Sequence, residues 1–149
     1  MPRVQHVLAI ATLSLLILAP AALAQSVAKA PPPAPYVAAS SILRLPDFIS
    51  GVGSLYIDPA DAPIGPWLAY GKDGQLVDIL FMVPLRDFDA HKDFANLGAT
   101  LLSKLSARGL HIDHVDITYN PGHVGMPEPH FHIRLSVLPH AEQVQDLNQ

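Results

Sequence analysis

The chain contains no cysteine. That excludes a disulfide framework, an iron–sulfur site, a thiol nucleophile and a cysteine-type zinc site. Basic residues are also few: nine Lys and Arg stand against 13 Asp and Glu, for a formal charge of −4. Nucleic acid needs a basic footprint, so no nucleic-acid partner is expected. A length of 149 residues leaves room for one domain and none for a paired dinucleotide fold or a (β/α)₈ barrel. HExxH and Gly-x-Ser-x-Gly are both missing, which removes the zincin and nucleophile-elbow templates. The pair Gly51-x-Gly53 lacks the third glycine and the following helix of a nucleotide loop. A cupin places an acidic residue three or four positions beyond its HxH pair, and Ile133 to Val137 supplies none.

The one long apolar run lies at the start. Arg3 precedes Val7 to Leu18, and Ala22-Leu23-Ala24 forms a small-x-small cleavage site before Gln25. The run is short for a bilayer and is broken by Pro20, so a signal peptide over residues 1–24, cleaved after Ala24, fits better than an anchor. The expected location is periplasmic or secreted, with no stable membrane span after cleavage.

Proline is plentiful. Pro31, Pro32, Pro33 and Pro35 read as a Pro-rich linker over 25–40. One α+β domain is expected over 41–140, with a polar, frayed tail at 141–149. Ser54 to Ile57 reads as a short strand. Trp67 to Tyr70 and Gln75 to Val83 flank Gly71-Lys72-Asp73-Gly74, a hairpin signal. The second arm is apolar on both faces and reads as the central strand. Phe94, Leu97, Leu101 and Leu105 recur at helical spacing, which predicts one long helix over Asp89 to Arg108, capped by Asp89 or Asp93 and ended by Gly109. Ile112 to Tyr119 and His130 to Leu138 alternate as strands. The sum is a small, mainly antiparallel sheet with one long helix.

Chemistry concentrates near the C-terminus, where six of the eight histidines lie between His111 and His140. Residues two apart on a strand project together, so His130 and His132 share a face, as do His114 and Asp116. Paired strands would gather these four, with His123 and Met126 on the loop Asn120 to Pro129 folding over them. Neutral imidazole is a strong ligand for first-row metals. A third histidine, His114 or His123, would complete a three-His site. Asp116 is a candidate fourth ligand or an acceptor that fixes a tautomer. Met126 offers a soft thioether suited to copper. The candidate metal residues are therefore His114, His123, His130, His132, Asp116 and Met126, and the candidate ions are copper and zinc. The competing reading is an ordinary polar strand face. Arg134 is placed to pair with Asp116 across the strands.

Tyr119-Asn120-Pro121-Gly122-His123 and Pro129-His130-Phe131 resemble a signature of uncharacterised exported bacterial proteins, with Ile112-Asp113-His114 also fitting. The resemblance spans Gly65 to Leu138 and supports the fold grouping. Its members continue as His-Phe-Asp-x-His. Here His132 replaces that Asp and Arg134 the second His, so the resemblance carries over His114, His123 and His130 but not those two. No reaction comes with the resemblance.

Metal binding without catalysis is the favoured function. The alternatives are a non-enzymatic assembly module with a His-rich interface, compatible with a homo-oligomer, and a metal-assisted hydrolase with Glu128 or Asp116 as base.

Overall fold

The computed structural model describes residues 26–148, and the expected signal peptide lies outside them. The described chain forms one six-stranded sheet, in which every neighbouring pair of strands is antiparallel, with four short α-helices, of which the first is α1 (Ala39–Ile42). The class is α+β. The strands are β1 (Val37–Ala38), β2 (Ser54–Ile57), β3 (Trp67–Tyr70), β4 (Leu76–Pro84), β5 (His114–Asn120) and β6 (His130–Ser136). Their spatial order is β1-β2-β3-β4-β6-β5. No helix among the described residues is long and apolar enough to cross a membrane.

The hairpin expected at Gly71 to Gly74 joins β3 to β4, closed by the Gly71 N–H on the Gln75 carbonyl at 3.0 Å. All nine residues of β4 are buried, as a strand apolar on both faces must be. One face of the sheet carries Leu68, Tyr70, Ile79 and Phe81 against Leu101 and Leu105. The other carries Ile57, Trp67, Leu80 and Met82 against Ala39 and Met126.

The single long helix does not form. The segment instead holds α2 (Leu85–Asp89), an irregular stretch, and α3 (Ala99–Ser106). His91 and Asn96 both take positive φ, at 53° and 58°, which a right-handed helix does not allow. Gly98, with φ of 66°, precedes α3 without any side-chain cap, so neither Asp89 nor Asp93 starts it. A Cβ on Gly98 would lie 2.8 Å from the Phe81 ring, so packing on β4 requires glycine here. Leu101 and Leu105 still face the core as their spacing demands.

Both ends differ from expectation as well. The Pro-rich segment is part of the sheet's packing rather than a spacer. Ala30 N–H bonds the Gly74 carbonyl at 2.8 Å, Val27 accepts from the Tyr70 hydroxyl at 2.8 Å, and Val37–Ala38 pair with β2. The tail forms α4 (His140–Asn148), which buries Gln143 and Leu147. The Gln143 side-chain amide donates to Asp78 Oδ1 at 2.8 Å, pinning the helix to the centre of the sheet.

Candidate metal centre

Strand β6 lies between β4 and β5, and its period of two sends His130, His132, Arg134 and Ser136 to one face. His130 sits opposite Asn120 of β5, and His132 opposite Thr118. The loop between the strands then doubles back. Asn120 Oδ1 accepts the Gly122 N–H at 2.8 Å, and His123 and Met126 exchange backbone hydrogen bonds of 2.9 and 3.0 Å. Gly122 has φ of 126°, and a Cβ there would collide with the Pro127 carbonyl oxygen, so no other residue fits. Met126 is 1 % exposed and sinks into the apolar cluster of Leu80 and Met82. It therefore anchors the loop, and its assignment as a soft ligand gives way to that packing role.

This folding brings three imidazoles together. The Nε2 atoms of His123, His130 and His132 lie 3.1, 3.2 and 2.9 Å apart in the three pairings. Three nitrogens around a tetrahedral zinc, at about 2.0–2.1 Å each, would stand about 3.3 Å apart. The observed triangle is within a few tenths of that. The group can hold a metal ion.

Hydrogen bonds decide which nitrogens face inward. His130 Nδ1 donates to the Glu128 carbonyl at 2.7 Å, and His123 Nδ1 donates to the Val124 carbonyl at 2.8 Å. A carbonyl only accepts, so both rings carry hydrogen on Nδ1 and, when neutral, present bare Nε2 lone pairs to each other. A proton on His132 can bridge to one of them but leaves the other unmatched, whereas a cation between the three satisfies all. His130 is fully buried. Burial, followed by the nearby His130 and His123 and then Arg134, pushes the His132 imidazole down to about 4, which keeps it neutral and ready to ligate.

A cavity of about 300 Å³ opens beside the triangle. His123 and His132 form one part of its wall, and most of the rest is apolar, including Leu43, Leu45, Leu55 and Trp67.

No family model matches the chain, and no curated protein does. Among solved structures it is similar to the hypothetical protein TTHB210 from Thermus thermophilus, with 39% identity over 69% of this chain and 93% of that one, and a TM-score of 0.60. The chain belongs to the family of that protein. The relative's name assigns no ligand or reaction, so kinship in the TTHB210 family carries the fold, and the chemistry must be argued from the residues.

The remaining candidates in this family member fall elsewhere. His114 and Asp116 do not join the three histidines. They form a separate group with His140, toward the other end of the hairpin. His114 Nδ1 contacts Asp113 at 3.0 Å, while its Nε2 faces Gln143 Oε1 at 3.3 Å and Asp116 Oδ2 at 3.6 Å. The Asp113 hydrogen bond leads in raising the His114 pKa above the ordinary imidazole value. Of the three histidines that the resemblance carried over, His123 and His130 join this group and His114 does not, while His132, which it did not carry over, is the third member. Arg134 does not pair with Asp116. Its Nε stands 3.5 Å from Oδ2 of buried Asp78, on the neighbouring strand β4. Glu128 is held by Arg86 at 2.6 Å, and among the described residues no carboxylate joins the three histidines. Neither Glu128 nor Asp116, the two expected bases, belongs to the three-histidine group.

The apolar cavity had no sequence signal. Leu43, Leu45, Ile49 and Val52 come from a stretch punctuated by proline and glycine, with no periodicity to mark a wall.

Proposed function

We propose that this protein binds a transition metal, zinc or copper, through Nε2 of His123, His130 and His132. The observation that carries the reading is the triangle of three Nε2 atoms within 3.2 Å of one another, with two of the opposite nitrogens tied to carbonyls. Binding fits the site better than hydrolysis because, among the described residues, no carboxylate joins the three-histidine group. The N-terminal pattern and the resemblance to exported proteins support a periplasmic or extracellular setting for this function. Cell fractionation with N-terminal sequencing would test that, a start at Gln25 being the supporting result.

The direct test is thermal unfolding of metal-stripped protein with and without Zn²⁺ or Cu²⁺. A ligand at about 100 times its Kd adds roughly 2.7 kcal/mol to the native state, a rise of several degrees for a domain of this size. The rise should vanish in His123→Ala and in the His130→Ala/His132→Ala double variant, and persist in His114→Ala. No rise with either ion in the wild type removes the reading.

A second reading, assembly through strand β5, has one observation in its favour. Val115, Ile117 and Tyr119 are 53, 64 and 57 % exposed on that edge strand. It replaces the expected His-rich interface, because the histidines converge on one another.

A further inference from the structure

The metal site and the cavity share two residues. His123 and His132 belong to the three-histidine group and also line the apolar cavity. Three protein ligands leave one position of a tetrahedral ion unfilled, which is the arrangement of sites that admit an outside ligand. Resting on the metal-binding reading, we propose that this fourth position faces the cavity and takes a small apolar monoanion with an oxygen head, of which a short-chain carboxylate is the simplest case.

Three features set the ligand's chemistry. The first is charge. Three neutral imidazoles leave a divalent ion with its full +2, and no Asp or Glu lines the cavity among the described residues. An unbalanced charge against an apolar wall is costly, so the incoming group must be an anion. The second is polarity. Apart from the two imidazoles, Asn120 and the Trp67 indole N–H, the lining side chains are apolar; the indole is engaged by the Pro63 carbonyl at 2.8 Å and Asn120 Oδ1 by the Gly122 N–H. The ligand's remaining atoms gain by leaving water and lose any hydrogen bonds they bring. The third is size. A cavity of about 150 Å³ holds a benzene ring, so about 300 Å³ suits one chain or ring of modest length.

Cobalt(II) in place of zinc makes the site visible through its d–d absorption. The full mature chain loaded with Co²⁺ is titrated with acetate, hexanoate and hexylammonium, and metal-free protein with hexanoate. Each added methylene contributes about 0.8 kcal/mol, roughly fourfold in affinity. Hexanoate should therefore shift the absorption with an affinity at least tenfold tighter than acetate, and hexylammonium should leave it unchanged. Leu45→Trp and Leu55→Trp, which fill the cavity, should keep the Co²⁺ spectrum and erase hexanoate's advantage. Equal affinities for acetate and hexanoate, or equal binding of hexanoate by metal-free protein, would overturn the proposal and leave the metal site standing. If Co²⁺ gives no tetrahedral spectrum at all, the metal-binding reading itself fails, and the two results are told apart in the first cuvette.

Discussion

Two histidines on the same hairpin have their pKa values shifted in opposite directions by their surroundings. His132 is pushed down to about 4 by burial and by the neighbouring imidazoles. Below the ordinary value of about 6.5 the unfolded chain takes up a proton that the native site refuses. Native stability from neutral His132 is therefore complete above about 6.5 and is lost as the pH falls toward 4. His114 has the reverse sign, with Asp113 holding its proton. Its contribution is present below about 6.5 and fades as the pH rises through its raised pKa. Histidine side-chain NMR of metal-free protein should show His132 neutral at pH 5 and His114 still protonated at pH 6.5. Two histidines titrating together near 6.5 would contradict both environments. Gly122 supplies a second residue-scale test, because its backbone sets where His123 lies. Gly122→Ala must displace the loop from the Pro127 carbonyl and should weaken Zn²⁺ binding at least tenfold. Gly109→Ala, whose added Cβ meets nothing within 4 Å, should leave Zn²⁺ affinity unchanged, although its φ of 79° costs some stability.

Among the elements, strands were legible and helices were not, for a physical reason. β2 matches its expected span, and β5 and β6 match to within two residues, because alternation over a ladder is a local signal that pairing reinforces. The helix over 89–108 failed because Leu101 and Leu105 carry real periodicity, while Phe94 and Leu97 reach the protein body through a loop that Asn96 and Gly98 turn. Spacing alone does not separate these cases. The same holds for the candidate metal site. The histidines of β6 could be paired by period, but the choice between His114 and His123 depended on how the loop folds, which Gly122 and Met126 settle through contacts distant from any strand pattern. α4 was hidden by its polarity, since a helix held by one amide and one leucine shows little apolar stripe. Its dependence on Gln143 can be measured. Gln143→Ala strips buried Asp78 of its hydrogen bond, and Asp78 Oδ2 already has none. A loss of about 1–3 kcal/mol is expected. Hydrogen exchange should then speed up in His140–Asn148 first. Unchanged exchange there would mean that Leu147 alone holds the helix.

For the molecule as a whole, the shortness of α3 has a consequence at the far edge of the sheet. Leu101 and Leu105 cover the apolar side chains of β3 and β4, and the cover does not extend to β5. Alternation normally turns a strand's apolar side inward, yet here Val115, Ile117 and Tyr119 are exposed, as is Thr118, and His114, Asp116 and Asn120 are the partly buried ones. β5 is also an edge strand, with one row of backbone groups unpaired by the sheet. An exposed apolar stripe on an open edge favours pairing with a second copy of the same strand, which would bury both stripes and satisfy both edges at once. A seven-residue strand supplies far less than the roughly 1,600 Å² typical of a stable interface. Association through this edge alone should accordingly be weak and concentration-dependent. Sedimentation velocity on the metal-free protein should show a monomer–dimer equilibrium that Ile117→Lys abolishes. Zn²⁺ affinity should be untouched by that variant, because Ile117 and the three ligands project from opposite faces of the hairpin. A wild-type protein that stays monomeric at all concentrations would remove the assembly reading while leaving the metal centre intact.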